Sequence, residues 1–139
     1  FAGAGDGGAP AVIGASGGTQ NATGTYVVSL VVVNLNKTVT VTDPFGGAQP
    51  TPGATLRYSI AATVTGGGTA AAVTVTDPIP ANTTYKAGTL TLNGAGLSDA
   101  ADADKGDVGG TTAGTVTVAL GDLTAASPAQ TITFDVTIN

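Results

Sequence analysis

Four aspartates lie close together in the loop Ser98–Asp107, and they are the side chains whose density most suggests chemistry. They are Asp99, Asp102, Asp104 and Asp107. Hard cations such as Ca²⁺ bind several carboxylate and carbonyl oxygens of a flexible loop, so this loop is a candidate calcium site. The spacing is not that of an EF-hand, whose loop also ends in a bidentate glutamate that is missing here. The alternative is an acidic loop tip that is simply solvated.

The residue types that most enzyme sites require are missing from the sequence. It contains no histidine and no cysteine, and its nine acidic residues are all aspartates. Serine–histidine and cysteine–histidine nucleophiles and the usual zinc sites therefore cannot be built. Glycine is abundant, but no phosphate-binding glycine motif occurs. We expect that the protein is not an enzyme and that it holds no cofactor other than the candidate calcium ion.

Lys37 has an unusual place in a strand pattern. It alternates with Val39 and Val41, so its side chain is expected on the inward face of a strand. An inward lysine beside an Asn or Asp and a second, protonated carboxyl group could form an amide cross-link. The alternative is a lysine at a strand end whose ammonium group reaches water.

The elements that must position these residues are strands. Val73–Thr76 alternates apolar and polar residues, Asp77–Asn82 contains two prolines that cannot join a ladder, and Thr89–Leu92 resumes the alternation. This stretch is therefore predicted to be a strand, a rigid corner and a second strand. Gly66–Gly68 is predicted to connect two strands as a hairpin. Good helix formers other than alanine are rare or missing, which favours an all-β fold.

The order and the amino-acid sequences of these strands resemble those of a known family. The run Val73–Gly94 reads V-T-V-T-D-P-I-P-A-N-T-T-Y-K-A-G-T-L-T-L-N-G, and G-T-V-T-V-A-L-G-D-L and T-I-T-F-D-V-T-I follow it. They are similar to the conserved-repeat surface domains of bacteria and archaea catalogued as domain of unknown function eleven. The resemblance covers about residues 34–139 and implies an immunoglobulin-like β-sandwich, secretion and a structural role.

This interpretation of the sequence predicts an N-terminal extension and one domain. Residues 1–33 form the extension, and residues 34–139 form an immunoglobulin-like β-sandwich of about seven or eight strands, the number that the turn spacing gives. The chain begins at Phe1 and not at Met, which we take to indicate a processed N-terminus, so we expect a secreted or cell-surface protein.

The segment from Tyr26 to Val33 is apolar on both faces of a strand, which an edge strand of a two-layer sandwich does not need. One interpretation is an ordinary first strand with excess hydrophobicity. The other is a strand that inserts into a neighbouring subunit, as in the donor-strand complementation of pilins. The candidate interface residues are Tyr26, Val27, Val28, Leu30, Val31, Val32 and Val33.

Charge excludes some partners. The net charge is −5 and the four basic residues are scattered, so nucleic acid is not an expected partner. The longest apolar run, Val27–Val33, is too short to span a membrane as a helix.

Three Asn-x-Ser/Thr sequons occur, at Asn21, Asn36 and Asn82. They matter only in a host that glycosylates proteins.

We therefore expect a structural subunit of an extracellular, pilus-like filament or of a surface layer. Copies of the chain would form a homopolymer by strand exchange, with further contacts to a surface or matrix. The alternative is an adhesin or spacer domain of a cell-surface protein, in which loops bind a ligand.

Overall fold

The computed structural model describes residues 2–4, 10–12, 24 and 30–139. The described residues form eleven strands and no helix. In chain order the strands are β1 (Ala2–Ala4), β2 (Pro10–Val12), β3 (Val31–Thr42), β4 (Thr55–Gly66), β5 (Thr69–Pro78), β6 (Thr83–Tyr85), β7 (Thr91–Leu92), β8 (Ala95–Gly96), β9 (Gly106–Val108), β10 (Thr115–Thr124) and β11 (Gln130–Ile138). Strands β1 and β2 pair with each other in an antiparallel ribbon.

Strands β3 to β11 form two antiparallel sheets. The larger sheet has the order β3-β4-β11-β7-β8, and β6 also pairs with β11. The smaller sheet has the order β5-β10-β9. The predicted all-β fold is confirmed, with nine strands in these two sheets where about seven or eight were expected. The division at residue 33 stays a prediction, and β3 itself begins at Val31.

Both sheets contribute side chains to one hydrophobic core. The two-residue period of a strand places Ile132, Phe134 and Val136 on one face of β11, and all three are at most 1% exposed. Val116 and Val118 of β10 meet them from the smaller sheet. The largest fully buried side chains are Phe134, Leu90, Ile132, Val116, Val118 and Val136. Valine and isoleucine make up half of the whole buried cluster, and alanine, leucine and Phe134 make up the rest.

The predicted corner at Asp77–Asn82 carries the chain from the smaller sheet to the larger one. Strand β5 ends at Pro78, and β6 pairs with β11 from Thr83 onward. The Ile79 N–H donates to the carbonyl of Gly114 (2.8 Å), and the Thr83 hydroxyl donates to the carbonyl of Pro80 (2.7 Å). Ile79 and Tyr85 pack against the core and are partly buried.

The glycine connection differs from the prediction of a hairpin. Strands β4 and β5 flank Gly66–Gly68, but β4 pairs with β3 and β11 whereas β5 pairs with β10. The connection therefore passes from one sheet to the other. Gly66 and Gly68 have φ angles of +90° and +106°, which side-chain-bearing residues rarely adopt, and this backbone allows the chain to leave the plane of the first sheet.

Candidate functional site

Strand β3 is the most exposed long strand of the larger sheet, and its apolar side chains lie on both faces. It is an edge strand that pairs with β4 along its whole length of 12 residues. Directly opposite residues of an antiparallel pair share a face, so Val33 lies on the face of Val64, and Leu35 on that of Ala62. Val64 and Ala62 are 7% and 0% exposed, whereas Val33 and Leu35 are 39% and 56% exposed. The core-facing side of β3 is therefore left largely uncovered.

The other face of β3 also presents apolar residues. Val32 is 39% exposed, and Leu30, just before the strand, is 73% exposed. Val31, Val32 and Val33 pair with Gly66, Thr65 and Val64 of the same chain, as an ordinary first strand would. The remaining candidate interface residues, Tyr26, Val27 and Val28, lie outside the described residues.

Lys37 points inward and links the two sheets. Its ammonium group lies 2.6 Å from Oδ2 and 2.8 Å from Oδ1 of Asp77, at the end of β5. It also lies 4.3 Å from the centre of the Tyr58 ring, which favours the cation. The inward orientation predicted for Lys37 is therefore present. Amide formation with Asp77 would require a second, protonated carboxyl group to assist proton transfer, and among the described residues no other carboxyl group forms a hydrogen bond or ion pair with Lys37 or Asp77.

The four loop aspartates act as hydrogen-bond acceptors, both within the loop and toward neighbouring segments of the chain. Asp99 accepts from the Tyr85 hydroxyl (2.7 Å) and from the Gly88 N–H (2.8 Å). Asp102 accepts from the Ser98 hydroxyl (2.7 Å), and Asp104 accepts from the Ser98 N–H (2.7 Å). These bonds hold the turns of the loop in place, which is the usual structural use of aspartate in tight turns.

Asp107 is the most deeply buried of the four aspartates and is 6% exposed. It accepts hydrogen bonds from the N–H groups of Gly110 and Thr111 and from the Thr111 hydroxyl. The Thr111 N–H bond is the main reason why the pKa of Asp107 lies below its ordinary value. The Ser98 hydroxyl has the same effect on the pKa of Asp102. Both carboxyl groups are thus held in the ionised form by hydrogen bonds.

A cavity of about 320 Å³ lies between this loop and the outer face of the smaller sheet. Asp102, Asp104 and Asp107 line it together with Thr117. The Thr117 hydroxyl is buried and has no hydrogen-bond partner among the described residues. Within the described part of the chain, no three acidic side chains come together in a group that could hold a metal ion. Calcium binding by the four aspartates stays a prediction.

A polar cluster on the outer face of the larger sheet was not predicted from the sequence. Arg57 binds Asp135 through two parallel hydrogen bonds of 2.8 and 2.9 Å. Asp135 is 5% exposed, and its hydrogen bonds, followed by its negative charge, raise the pKa of Arg57. The pair lines an open cavity of about 400 Å³ together with Lys86 and three threonines, Thr40, Thr42 and Thr55. No local pattern identifies this cluster, because Arg57 and Asp135 are brought together only by the register of β4 and β11.

Two of the three sequon asparagines are described, and both are exposed. Asn36 lies in β3, and Asn82 lies in the corner before β6. Asn21 lies outside the described residues.

Comparisons with protein-family models, with curated proteins and with solved structures found no match. No helix in the described ranges is long and apolar enough to cross a membrane.

Proposed function

We propose that this chain is a structural subunit of an extracellular, pilus-like filament or of a surface layer. Its body is an immunoglobulin-like β-sandwich, and it polymerises by strand exchange between neighbouring copies. The conserved-repeat surface domains that the sequence resembles suggest the same setting, which is secreted or at the cell surface.

One observation carries the proposal. Strand β3 is a long edge strand with exposed apolar side chains on both faces, namely Leu30 next to it and Val32, Val33, Leu35 and Val39 within it. It contains one charged residue, Lys37, and no proline, so it lacks most of the devices that protect free edges from pairing with other chains. An edge of this kind is stable in a secreted protein when another strand covers it.

The chemistry of the polar residues supports a structural role. The carboxylates of Asp99, Asp102, Asp104 and Asp107 accept hydrogen bonds from other groups of the same chain, and Asp77 pairs with Lys37 across the two sheets. The chain has no histidine, cysteine or glutamate with which to build a proton-transfer site. We therefore assign the chain no enzymatic activity.

An adhesin or spacer domain is the second candidate. The observation that favours it is the open cavity beside Arg57 and Lys86, because two of the four basic residues of an acidic protein lie there among hydroxyl groups. An anionic or hydroxyl-rich ligand would suit this surface.

Negative-stain electron microscopy of the full chain separates the two candidates. A filament or layer subunit gives rods or sheets, and their length rises with protein concentration. An adhesin or spacer domain gives monodisperse particles at every concentration, and that result would contradict the proposed function.

A further inference from the structure

We infer that the acceptor for the exchanged strand is the cleft between the edge strands β3 and β5, and that the segment Thr25–Leu30 of a second copy occupies it. This inference rests on the polymerisation proposed above and assigns its two surfaces. Of the candidate interface residues predicted from the sequence, Tyr26 and Val28 then belong to the donor segment. Val33 belongs to the acceptor cleft.

The acceptor is defined by two strands that end their sheets on the same side of the molecule. Strand β3 is the first strand of the larger sheet, and β5 is the first strand of the smaller one. The Lys37–Asp77 ion pair shows that the two strands face each other. Among the described residues β5 pairs with β10 alone, so its other edge offers N–H and C=O groups to a further strand.

The side chains that face this cleft show that cover is missing. Leu35 points to the same side as Ala62, which is fully buried, and yet more than half of Leu35 is exposed. Val33 shows the same contrast with Val64. Adding one strand beside β5 or β3 would bury these two side chains, and the apolar contact would stabilise the added strand.

The length of the cleft follows from the contacts that close its two ends. At one end the carbonyl group of Leu30 lies against Gly66, where β4 crosses to β5. Further along β3, the bridge from Lys37 to Asp77 closes the space between the strands. Val33 and Leu35 lie between these two bounds, so a short strand of about six residues, roughly 20 Å long, fits the opening.

The sequence before β3 does not favour a fold straight back into the cleft of its own chain. Such a reversal would need a tight turn next to Leu30, and tight turns favour Gly, Pro, Asn, Asp or Ser. Of these types only Ser29 occurs between Gly24 and Asn34, and it lies within the apolar run Tyr26–Val33, whose valines favour an extended strand. The pattern Thr25–Leu30 therefore predicts a continuation of β3 in the same direction, which would make these residues available to another copy.

The same segment has the chemistry that the cleft requires. Tyr26, Val28 and Leu30 share one face of an extended strand, and Val27 and Ser29 lie on the other. A strand in the cleft needs one apolar face toward Val33 and Leu35. The segment carries no charged residue, so its burial leaves no charge without a partner.

Complementation between two full-length variants tests this assignment. Val33→Asp disables the acceptor and leaves the donor intact, whereas Val28→Asp disables the donor and leaves the acceptor intact. The controls are Asn34→Asp, on the exposed outer face of β3 between Val33 and Leu35, and Thr23→Asp, which lies outside the donor segment. Sedimentation velocity measures assembly, and circular dichroism confirms that each variant is folded.

We expect each disabling variant to be monomeric alone, an equimolar mixture to form a dimer that grows no further, and both controls to polymerise like the wild type. If Val33→Asp does not fold, Leu35→Asn replaces it, because Leu35 is more exposed. Equal loss of assembly in Asn34→Asp and Val33→Asp, or no dimer in the mixture, would overturn the assignment while the wild type still polymerises. A wild-type chain that stays monomeric would instead overturn the proposed function, and the assignment with it.

Discussion

Asp43 shows how one side chain can end a strand and prepare the next turn. Its Oδ1 accepts the N–H groups of Phe45 (2.8 Å) and Gly47 (3.0 Å), and its Oδ2 accepts that of Gln49 (3.2 Å). The bond from Gln49 is the largest of the effects that lower the pKa of Asp43, because each N–H favours the ionised carboxylate. The motif Val-Thr-Val-Thr-Asp-Pro contains Asp43 in residues 39–44, and it occurs again in residues 73–78 at the end of β5. In the second copy the aspartate, Asp77, binds Lys37.

The lowered pKa values of Asp43, Asp102 and Asp107 predict how stability depends on pH. Each pKa is below the ordinary value of 3.8 in the folded chain, so the unfolded chain takes up protons first as the pH falls. The stabilisation is complete above pH 3.8 and is lost as the pH falls below it, through the lowered pKa values. We expect a melting midpoint that is flat from neutral pH to about pH 4 and then falls. For Asp43→Asn we expect a lower midpoint at neutral pH and a smaller fall in acid, and parallel acid curves for both proteins would contradict this account.

At the scale of elements, the corner between β5 and β6 depends on packing and not only on its prolines. Ile79 contacts the core but stays partly buried, whereas Phe134 of β11 is 0% exposed. We expect Ile79→Ala to lower the free energy of unfolding by about 1–2 kcal/mol, because only part of its apolar surface is lost from the core. Phe134→Ala should lower it by about 3–5 kcal/mol, since it leaves a cavity. Urea denaturation followed by circular dichroism measures both values, and equal losses would show that Ile79 is buried more deeply than the structure indicates.

The start of β3 depends on a glycine of the neighbouring strand. A Cβ atom on Gly66 would collide with the carbonyl group of Leu30, whereas one on Gly68 would meet no atom within 4 Å. Both residues have a positive φ, so alanine at either position carries the penalty of about 1–2 kcal/mol for left-handed backbone. We expect Gly66→Ala to be clearly more destabilising than Gly68→Ala, because it also displaces Leu30 from β4. Thermal melting of the two variants gives the comparison, and equal midpoints would show that the Leu30 contact is absent in solution.

At the scale of the whole molecule, local patterns predict the long strands, but they predict neither the short strands such as β8 and β9 nor the partners that the strands pair with. The alternation in Ile132–Ile138 predicts β11 and its buried face, and the parity of Lys37 predicts its inward side chain, because a period of two fixes which face each residue takes. The prediction of a hairpin at the glycine connection after β4 is wrong. A hairpin and a crossing between sheets use the same flexible residues, and the sequence between them does not record which strand each neighbour joins.

The candidate site shows the same division between local and long-range information. An uncovered Leu35 cannot be recognised from its own segment, since its exposure results from where β3 and β5 end their sheets. The pairing of Arg57 with Asp135 likewise depends on residues that are 78 positions apart in the chain. The apolar run before β3, in contrast, is visible directly in the sequence, and for this reason strand exchange could be predicted while its acceptor could not.

Two matched truncations test the central claim that residues just before β3 join neighbouring copies. One variant begins at Thr25 and keeps the proposed donor segment, and the other begins at Val31 and lacks it, while both keep β3 to β11. Sedimentation velocity of the two proteins, at equal concentration, should show polymers for the first and monomers for the second. Polymers of equal size in both would contradict strand exchange through Thr25–Leu30.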